Sequence, residues 1–153
     1  MAWVENVLTH LSKQGYRVTE PRRAIMERIV RYTQPFGAEQ LYQDLGGEGG
    51  PIGRATVYRT VELLLADNWL ARVHWSPSKE TTSDDHAYVP VEQGHQHQLV
   101  CRSCGSVATF EGCELDTLLG GLARRLNFRV EGHWLEIVGL CQTCQRQALS
   151  TTN

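Results

Sequence analysis

Two short cysteine pairs, Cys101-Arg-Ser-Cys104 and Cys141-Gln-Thr-Cys144, decide how the second half of this chain folds. The two thiols of each pair can bind one ion from a single tight turn, and the two pairs together supply the four ligands of a tetrahedral zinc site. Because four thiolates leave no open position for water, the pattern predicts a structural rather than a catalytic zinc. Two disulfides, or a redox-active pair of the thioredoxin kind, are the alternatives.

The residues before these pairs predict four helices followed by two strands. Apolar residues recur at helical spacing over 2–14, from Thr19 to about Tyr32, over 38–45, and from 52 through a fourth helix. Thr19 is a natural N-cap, and Pro21 falls close to the first turn, where its missing N–H costs nothing. Extended stretches at 70–75 and roughly 86–91 complete the order of a winged helix-turn-helix, whose last helix enters the major groove of DNA.

The fourth helix is where a DNA-reading surface is expected. Its apolar stripe faces the core, and four polar side chains lie mostly off that stripe near the N-terminal half: Thr56, Tyr58, Arg59 and Thr60. An arginine can bond guanine edges or phosphates, and a tyrosine ring can lie against a thymine methyl group. A core helix with a solvated polar face is the plainer alternative.

A second, α+β module is expected from about residue 93. Residues 96–100 and 106–110 predict two strands joined at the first cysteine pair, 114–126 predict a helix, and 128–140 predict a long third strand. The Gly120-Gly121 pair inside that helix is interpreted as a close-packing site. We therefore expect a winged-helix domain over 1–92, with its wing tip at 76–85 and a hinge at 91–94. A dimerisation and metal-binding domain is expected over 93–153.

Three histidines and an acid predict a second metal site. His95 and His97 are two residues apart in an extended stretch, so both side chains point to one face. His133 lies on the strand that must return beside them, and Asp116 in the first turn of the helix can complete the set. Three imidazoles and a carboxylate suit zinc, and also iron, manganese or nickel. Scattered surface histidines are the alternative.

Side chains near the hinge could form a further site. His86, with His74, Asp84 and Asp85 as neighbours, lies where the two modules join, and a metal there would favour one relative orientation of the modules. Solvated wing residues are the alternative. The fifth cysteine, Cys113, is either a small buried residue at the start of a helix or another thiolate ligand.

Composition narrows the class of protein. The chain has 153 residues, of which 41% are hydrophobic and 21% charged, as in ordinary globular proteins. Apolar runs fall short of the roughly 20 residues that span a bilayer, and the N-terminus lacks a signal-peptide layout, so we expect a cytoplasmic protein with reduced thiols. The net charge of −2 confines any DNA-binding face to a local patch.

An enzyme is not expected. The best-placed ligand set is a full four with no obvious nucleophile or general base beside it, and the chain has no glycine-rich phosphate loop. A zinc-dependent enzyme and a purely structural zinc-ribbon adaptor are the rival classes, and the second would require that DNA binding be absent at low salt.

Five motifs, in this order, resemble the ferric uptake regulator family over nearly the whole chain: Thr19-Glu-Pro-Arg-Arg23, Ala38-Glu-Gln-Leu-Tyr42, Ala55-Thr-Val-Tyr-Arg-Thr60, His95-Gln-His-Gln-Leu-Val-Cys101-Arg-Ser-Cys104-Gly, and Cys141-Gln-Thr-Cys144. The resemblance implies a homodimeric, metal-responsive transcription regulator that binds double-stranded operator DNA. It implies no membrane and no small-molecule substrate other than metal ions.

The resemblance also assigns roles to residues. Cys101, Cys104, Cys141 and Cys144 match the structural zinc ligands. A site inside the dimerisation domain is matched by His95, His97, Asp116 and His133. Tyr58 and Arg59 match the recognition-helix positions, Arg17 matches a basic position that reaches the minor groove, and the full set of expected DNA contacts is Arg17, Arg22, Arg54, Thr56, Tyr58 and Arg59.

Departures from the family pattern indicate the branch. Iron and peroxide sensors of the family commonly carry a histidine near the start of the third helix, where this chain has Gln34-Pro-Phe. Their second H-x-H set is replaced by Gln96 and Gln98, and a carboxylate on the next strand is replaced by Thr109. The pattern therefore favours the zinc uptake regulator branch, a repressor of zinc-uptake genes, with His86 as the best additional hinge ligand. An iron or peroxide sensor is the alternative.

Overall fold

The computed structural model describes residues 2–74, 87–92, 94, 96–111 and 115–150. Its first part contains four helices, α1 (Ala2–Lys13), α2 (Glu20–Ile29), α3 (Ala38–Asp44) and α4 (Arg54–Ala66). Thr19 caps α2, since its hydroxyl accepts a hydrogen bond from the backbone N–H of Arg22 at 3.4 Å, and Pro21 lies in the first turn. The α2 helix ends at Ile29, before the predicted Tyr32.

One hydrophobic core joins the four helices. Its members come from every helix and from the start of the first strand, and the largest fully buried side chains in it are Phe36, Leu11, Ile25, Met26, Ile29, Leu41 and Leu64. On α4 the core face consists of Val57, Thr60, Val61 and Leu64. Thr60 was predicted to lie mostly off this face, but it is buried because its hydroxyl donates to the carbonyl of Thr56 at 2.7 Å and needs no solvent.

A small sheet follows the helices. Asn68, with a left-handed φ of 58°, turns the chain from α4 into β1 (Leu70–Val73), which pairs antiparallel with β2 (Ala87–Pro90). Phe36 adds a bridge, with Phe36 and Tyr88 exchanging backbone hydrogen bonds at 3.0 and 2.8 Å. The expected wing tip at 76–85 lies outside the described residues.

The second part is built on a three-stranded sheet of order β4-β3-β5. Strands β3 (Gln96–Cys101) and β4 (Val107–Glu111) pair antiparallel across the first cysteine turn, as predicted. Helix α5 (Leu115–Leu126) follows, and β5 (Glu136–Gly139) then pairs parallel to β3, with Cys101 opposite Gly139. The chain ends its described course in α6 (Gln142–Ser150).

Three predictions about the second part need correction. The third strand is four residues long rather than spanning 128–140, and helix α6 was not predicted. The Gly120-Gly121 pair is not closely packed within the described chain. A Cβ on Gly120 would meet only the Arg124 guanidinium at 3.9 Å, and one on Gly121 would meet nothing within 4 Å.

The architecture is α+β, as predicted: a winged helix-turn-helix followed by a small sheet-and-helix unit with a four-cysteine cluster. A small apolar cluster of Val73, Val89, Val91 and Val100 packs the two sheets together, and the Trp3 indole donates to the carbonyl of Val91 at 2.8 Å. Among the described residues, no helix combines the length and the apolar character needed to cross a membrane.

Candidate metal centres and nucleic-acid interface

The two cysteine turns meet at one end of the second sheet. Cys101 ends β3, and Cys104 lies in the turn after it. Cys141 immediately precedes α6, and Cys144 lies in the first turn of that helix. All four sulfurs lie within 4.8 Å of one another, and the Cys104 and Cys141 sulfurs are 3.7 Å apart. Zinc–sulfur bonds of about 2.3 Å place tetrahedral sulfurs about 3.8 Å apart, so the cluster fits zinc. The four are free thiols, which argues against the disulfide alternative.

Backbone donors prepare this cluster for a cation. The N–H groups of Cys104 and Cys141 donate to the Cys101 sulfur, the latter at 3.3 Å, and they lower the pKa of Cys101 to about 6. The backbone N–H of Cys144 lowers the pKa of Cys141 in the same way. At Cys144 the Ser103 hydroxyl favours the thiolate, but burial and the neighbouring thiols outweigh it and raise the pKa to about 11. A metal ion that binds here must displace that last proton.

The expected second site is brought together in part. His97 is fully buried on β3, and its ring stacks on that of His133 with centroids 5.2 Å apart. Nδ1 of His133 lies 3.8 Å from a carboxylate oxygen of Asp116 at the start of α5. These three come from separate segments: His97 from β3, Asp116 from the first turn of α5, and His133 from the residues before β5 rather than from the strand itself, where it was expected. His95 lies outside the described residues.

The described part of the chain contains one group whose potential ligand atoms already form a compact metal cage, and that group is the four cysteines. His97, His133 and Asp116 are neighbours without such a cage. His86, Asp84, Asp85 and Cys113 lie outside the described residues. His74 is described, and it contacts Glu136: its N–H donates to the carboxylate at 3.0 Å, and its Nδ1 lies 3.5 Å from the same oxygen.

Sequence reasoning missed two links between the helical part and the second sheet. Glu136 is one, and it carries no motif that would have singled it out. Gln34 is the other: its side-chain amide donates to the carbonyl of Cys104, inside the first cysteine turn, at 3.0 Å. The substitution at position 34 was visible as a departure from the family pattern, but a hydrogen bond across 70 residues was not.

The expected DNA-contacting residues lie along α4 and before α2. Arg54, Tyr58 and Arg59 are exposed on α4, whereas Thr56 is half-buried. Arg54 and Tyr58 both contact Glu39 of α3, at 3.1 and 3.3 Å. Arg22 donates to the carbonyl of Arg17 at 2.6 Å, which holds the two arginines together at the start of α2. Arg17, Arg54, Tyr58 and Arg59 are therefore accessible to solvent, as side chains that contact DNA must be.

Comparison with known proteins supports this architecture. The model of the ferric uptake regulator family matches residues 13–138. The ferric uptake regulation protein of Neisseria meningitidis serogroup A is 30% identical over 142 residues, covering 92% of this chain and 94% of that protein. The zinc uptake regulation protein of Mycobacterium tuberculosis is 30% identical over 135 residues, covering 88% and 99%.

A solved structure of a zinc uptake regulator complexed with zinc and DNA has the same fold, with a TM-score of 0.77 at 19% identity, covering 95% of each chain. The family match spans most of this chain, and the two relatives agree with it along nearly their full lengths. The chain therefore belongs to the ferric uptake regulator family, whose members are metal-responsive, dimeric DNA-binding transcriptional regulators rather than enzymes.

Proposed function

We propose that this chain is a zinc-responsive regulator that binds operator DNA as a metal-loaded dimer and mainly represses genes for zinc uptake, in the cytoplasm. The observation that carries the choice of metal is the neutral side chains at positions where the iron and peroxide branches commonly carry metal ligands. Gln98 pairs with Thr109 across β3 and β4, and Gln34 donates to a backbone carbonyl. Amides and a hydroxyl replace the imidazoles and carboxylate of the six-coordinate iron and peroxide sites.

Two metal sites follow from this proposal. Zinc at Cys101, Cys104, Cys141 and Cys144 holds the second cysteine turn against the first. A regulatory zinc would take His97, Asp116 and His133 as ligands, together with His95, and His86 is proposed as a hinge ligand. The stacked rings of His97 and His133 support a shared ligand role, since two imidazoles of one site must approach closely.

The dimer is proposed to form through the second unit, residues 93–153. In the single chain this unit exposes large apolar side chains that a soluble monomer would bury: Leu118 at 67%, Leu126 at 64%, Phe128 at 73% and Trp134 at 84% exposure. The winged helix, residues 1–92, is proposed to present its DNA-contacting side chains once per subunit: Arg17, Arg22, Arg54, Thr56, Tyr58 and Arg59.

The test is a metal titration of protein that retains only its four-cysteine zinc. Zinc, iron(II) and manganese(II) are added at buffered levels while bound metal is counted and binding to a duplex selected from a randomised library is measured. One further zinc per subunit should switch DNA binding on. An iron sensor is the second candidate, because the iron-regulating relative is as similar to this chain as the zinc-regulating one. Activation by iron or manganese alone would replace zinc in the proposal.

His97→Ala tests the ligand assignment in the same assay. The variant should keep its four-cysteine zinc, lose the second zinc and lose zinc-dependent DNA binding, because one imidazole of the set is gone. Phe110→Leu is the matched control, since Phe110 packs on His97 at 5.4 Å and offers no ligand atom. A normal zinc response in His97→Ala would contradict the assignment.

A further inference from the structure

One carboxylate on α3 binds two of the four α4 side chains that are expected to contact DNA, Arg54 and Tyr58. Oε1 of Glu39 accepts from the Arg54 guanidinium at 3.1 Å, and Oε2 accepts from the Tyr58 hydroxyl at 3.3 Å. Gln43, one turn along α3, donates to Oε1 at 2.8 Å. Both oxygens are thus engaged, and each bond orients the carboxylate for the next.

Arg54 is held from a second side as well. Its guanidinium lies 5.0 Å from the centre of the Tyr42 ring, also on α3. Arg54 and Tyr58 are four residues apart on α4, so they occupy one helical face, and α3 fixes both. An exposed arginine would otherwise sample many rotamers, at a cost in binding entropy of about 0.5–1.5 kcal/mol when it is ordered on DNA.

The charge of Glu39 has its own effect. It is 40% exposed beside the expected DNA surface, where a negative charge repels phosphates of any sequence. Fixed reading side chains help only on a matching sequence, whereas the repulsion weakens binding to all sequences alike. The ordering of the side chains therefore raises the ratio of specific to non-specific affinity, and the repulsion keeps non-specific binding weak without changing that ratio.

We propose that Glu39 is a positioning residue for DNA recognition, which holds Arg54 and Tyr58 in reading positions and keeps Arg54 from binding phosphates indiscriminately. This role rests on the proposed DNA-binding function. Helix α3 precedes the recognition helix and carries none of the expected DNA contacts. It would nevertheless contribute to sequence specificity through Glu39.

The experiment compares the metal-loaded full chain with Glu39→Ala and Glu39→Gln. Each protein is titrated with two probes at several salt concentrations: the duplex that wild-type protein selects from a randomised library, and a shuffled duplex of the same composition. Glu62→Gln is the control, because Glu62 is exposed on α4 and its substitution removes the same charge. Circular dichroism checks the fold of every variant. If Glu39→Ala is unfolded, Tyr58→Phe is used instead, because it removes the hydroxyl that donates to Glu39.

Glu39→Ala should lower the ratio of the affinity for the selected duplex to that for the shuffled duplex about tenfold, because Arg54 and Tyr58 are no longer held in place. Binding to the shuffled duplex should become tighter, with a salt slope steeper by about one, because Arg54 is free for a phosphate. The Glu39→Gln variant keeps a hydrogen-bond acceptor, so its affinity ratio should lie between those of wild type and Glu39→Ala. In an Arg54→Ala/Tyr58→Phe background, Glu39→Ala should have no further effect on the ratio.

Three distinct outcomes overturn the proposal. If wild-type protein selects no duplex at any metal loading, the DNA-binding function fails and the role of Glu39 fails with it. If wild-type protein selects a duplex and Glu39→Ala keeps its ratio, or changes it only as Glu62→Gln does, the function stands and the role of Glu39 is wrong. A loss that persists in the Arg54→Ala/Tyr58→Phe background would also exclude positioning through those side chains.

Discussion

Asp44 ties two helices of the DNA-binding part together. It accepts hydrogen bonds from the Tyr32 hydroxyl and the Arg28 guanidinium, each at 2.6 Å, and the guanidinium lies 4.6 Å from the Tyr32 ring centre. The Tyr32 hydrogen bond, followed by Arg28, holds the pKa of Asp44 below its usual range. Burial, followed by the bond to Asp44, raises the pKa of Tyr32. The contact therefore favours an ionised Asp44 carboxylate and a neutral Tyr32 hydroxyl over a wide pH range.

Stability should therefore depend on pH at both ends. A depressed Asp44 pKa stabilises the fold above its unfolded pKa of about 4, and this is lost as pH falls through the folded value. A raised Tyr32 pKa stabilises the fold below its unfolded value of about 10, and this is lost as pH rises further. Asp44→Asn should cost about 1 kcal/mol at neutral pH, since the pair is one-third exposed.

Urea unfolding at pH 3, 7 and 10.5 measures this dependence. The disadvantage of Asp44→Asn should shrink toward the acid end, as pH falls toward the lowered pKa of Asp44 and the wild-type carboxylate begins to take up its proton. Glu27→Gln, an exposed carboxylate on α2, is the matched control and should leave the free energy of unfolding within about 0.5 kcal/mol of wild type. Equal effects of the two substitutions would show that the contacts of Asp44 with Arg28 and Tyr32 add nothing to the free energy of unfolding beyond the effect of removing a surface charge.

Among the elements, the four helices of the first part were predictable because each carries an apolar stripe and a recognisable start or stop. A third strand was also predicted, but its extent was not, because four residues of the expected 128–140 form it. Val130 and Trp134 alternate with polar residues as a strand would, but they are exposed, and no strand among the described residues pairs with them. Helix α6 was missed because it shows little apolar periodicity, although several of its residues have good helix propensity.

The candidate site also has features that the local sequence predicts and features that depend on how distant elements pack. Four cysteines at fixed spacing predicted their own cluster, since metal-ligand spacing is a local property of the sequence. The contacts of Glu39, Gln34 and Glu136 depend on which helices and strands pack together, and polar side chains of this kind carry no sequence signature. His97 was predicted as a ligand, but its complete burial beneath His133 follows only from the pairing of β3 with β5.

The second cysteine turn should hold β5 in place. Cys141→Ser should lower bound zinc by one per subunit and expose the backbone of β5, because the Arg102 amide, which donates to Gly139, depends on that register. Hydrogen exchange at the amides of Gly139 and Arg102 measures the change. Thr143→Ala, an exposed non-ligand in the same turn, should retain zinc and protection. Retained protection in Cys141→Ser would mean that the sheet forms without metal.

At the scale of the whole molecule, two long-range polar contacts join the first part to the second sheet, one through Gln34 and one through His74 and Glu136, beside the valine cluster that packs the two sheets together. Both converge on elements that the metal sites stabilise. A change in metal loading can therefore alter the orientation of the winged helix only as far as these contacts differ between the two states. They are the described routes by which metal and DNA binding would influence each other.

Gln34→Ala should weaken that mutual influence. By linkage, DNA should raise zinc affinity by the same factor by which zinc raises DNA affinity, and loss of one hydrogen bond of about 1 kcal/mol should reduce this factor about fivefold. Zinc affinity measured with and without the selected duplex gives the factor. Gln14→Ala, an exposed glutamine at the end of α1, is the control. An unchanged factor would remove Gln34 from the coupling.

The distance along the chain between the two cysteine turns has a consequence for biosynthesis. Cys104 and Cys141 are 37 residues apart, and a ribosome that adds about 5–20 residues per second needs about 2–7 s to make that stretch. Throughout this interval the nascent chain displays two thiols with no second pair to complete their coordination. Until the later turn emerges, the first is open to oxidants and to thiophilic ions other than zinc. The cell's supply of available zinc would then govern how many newly made chains mature correctly, as well as how mature ones act.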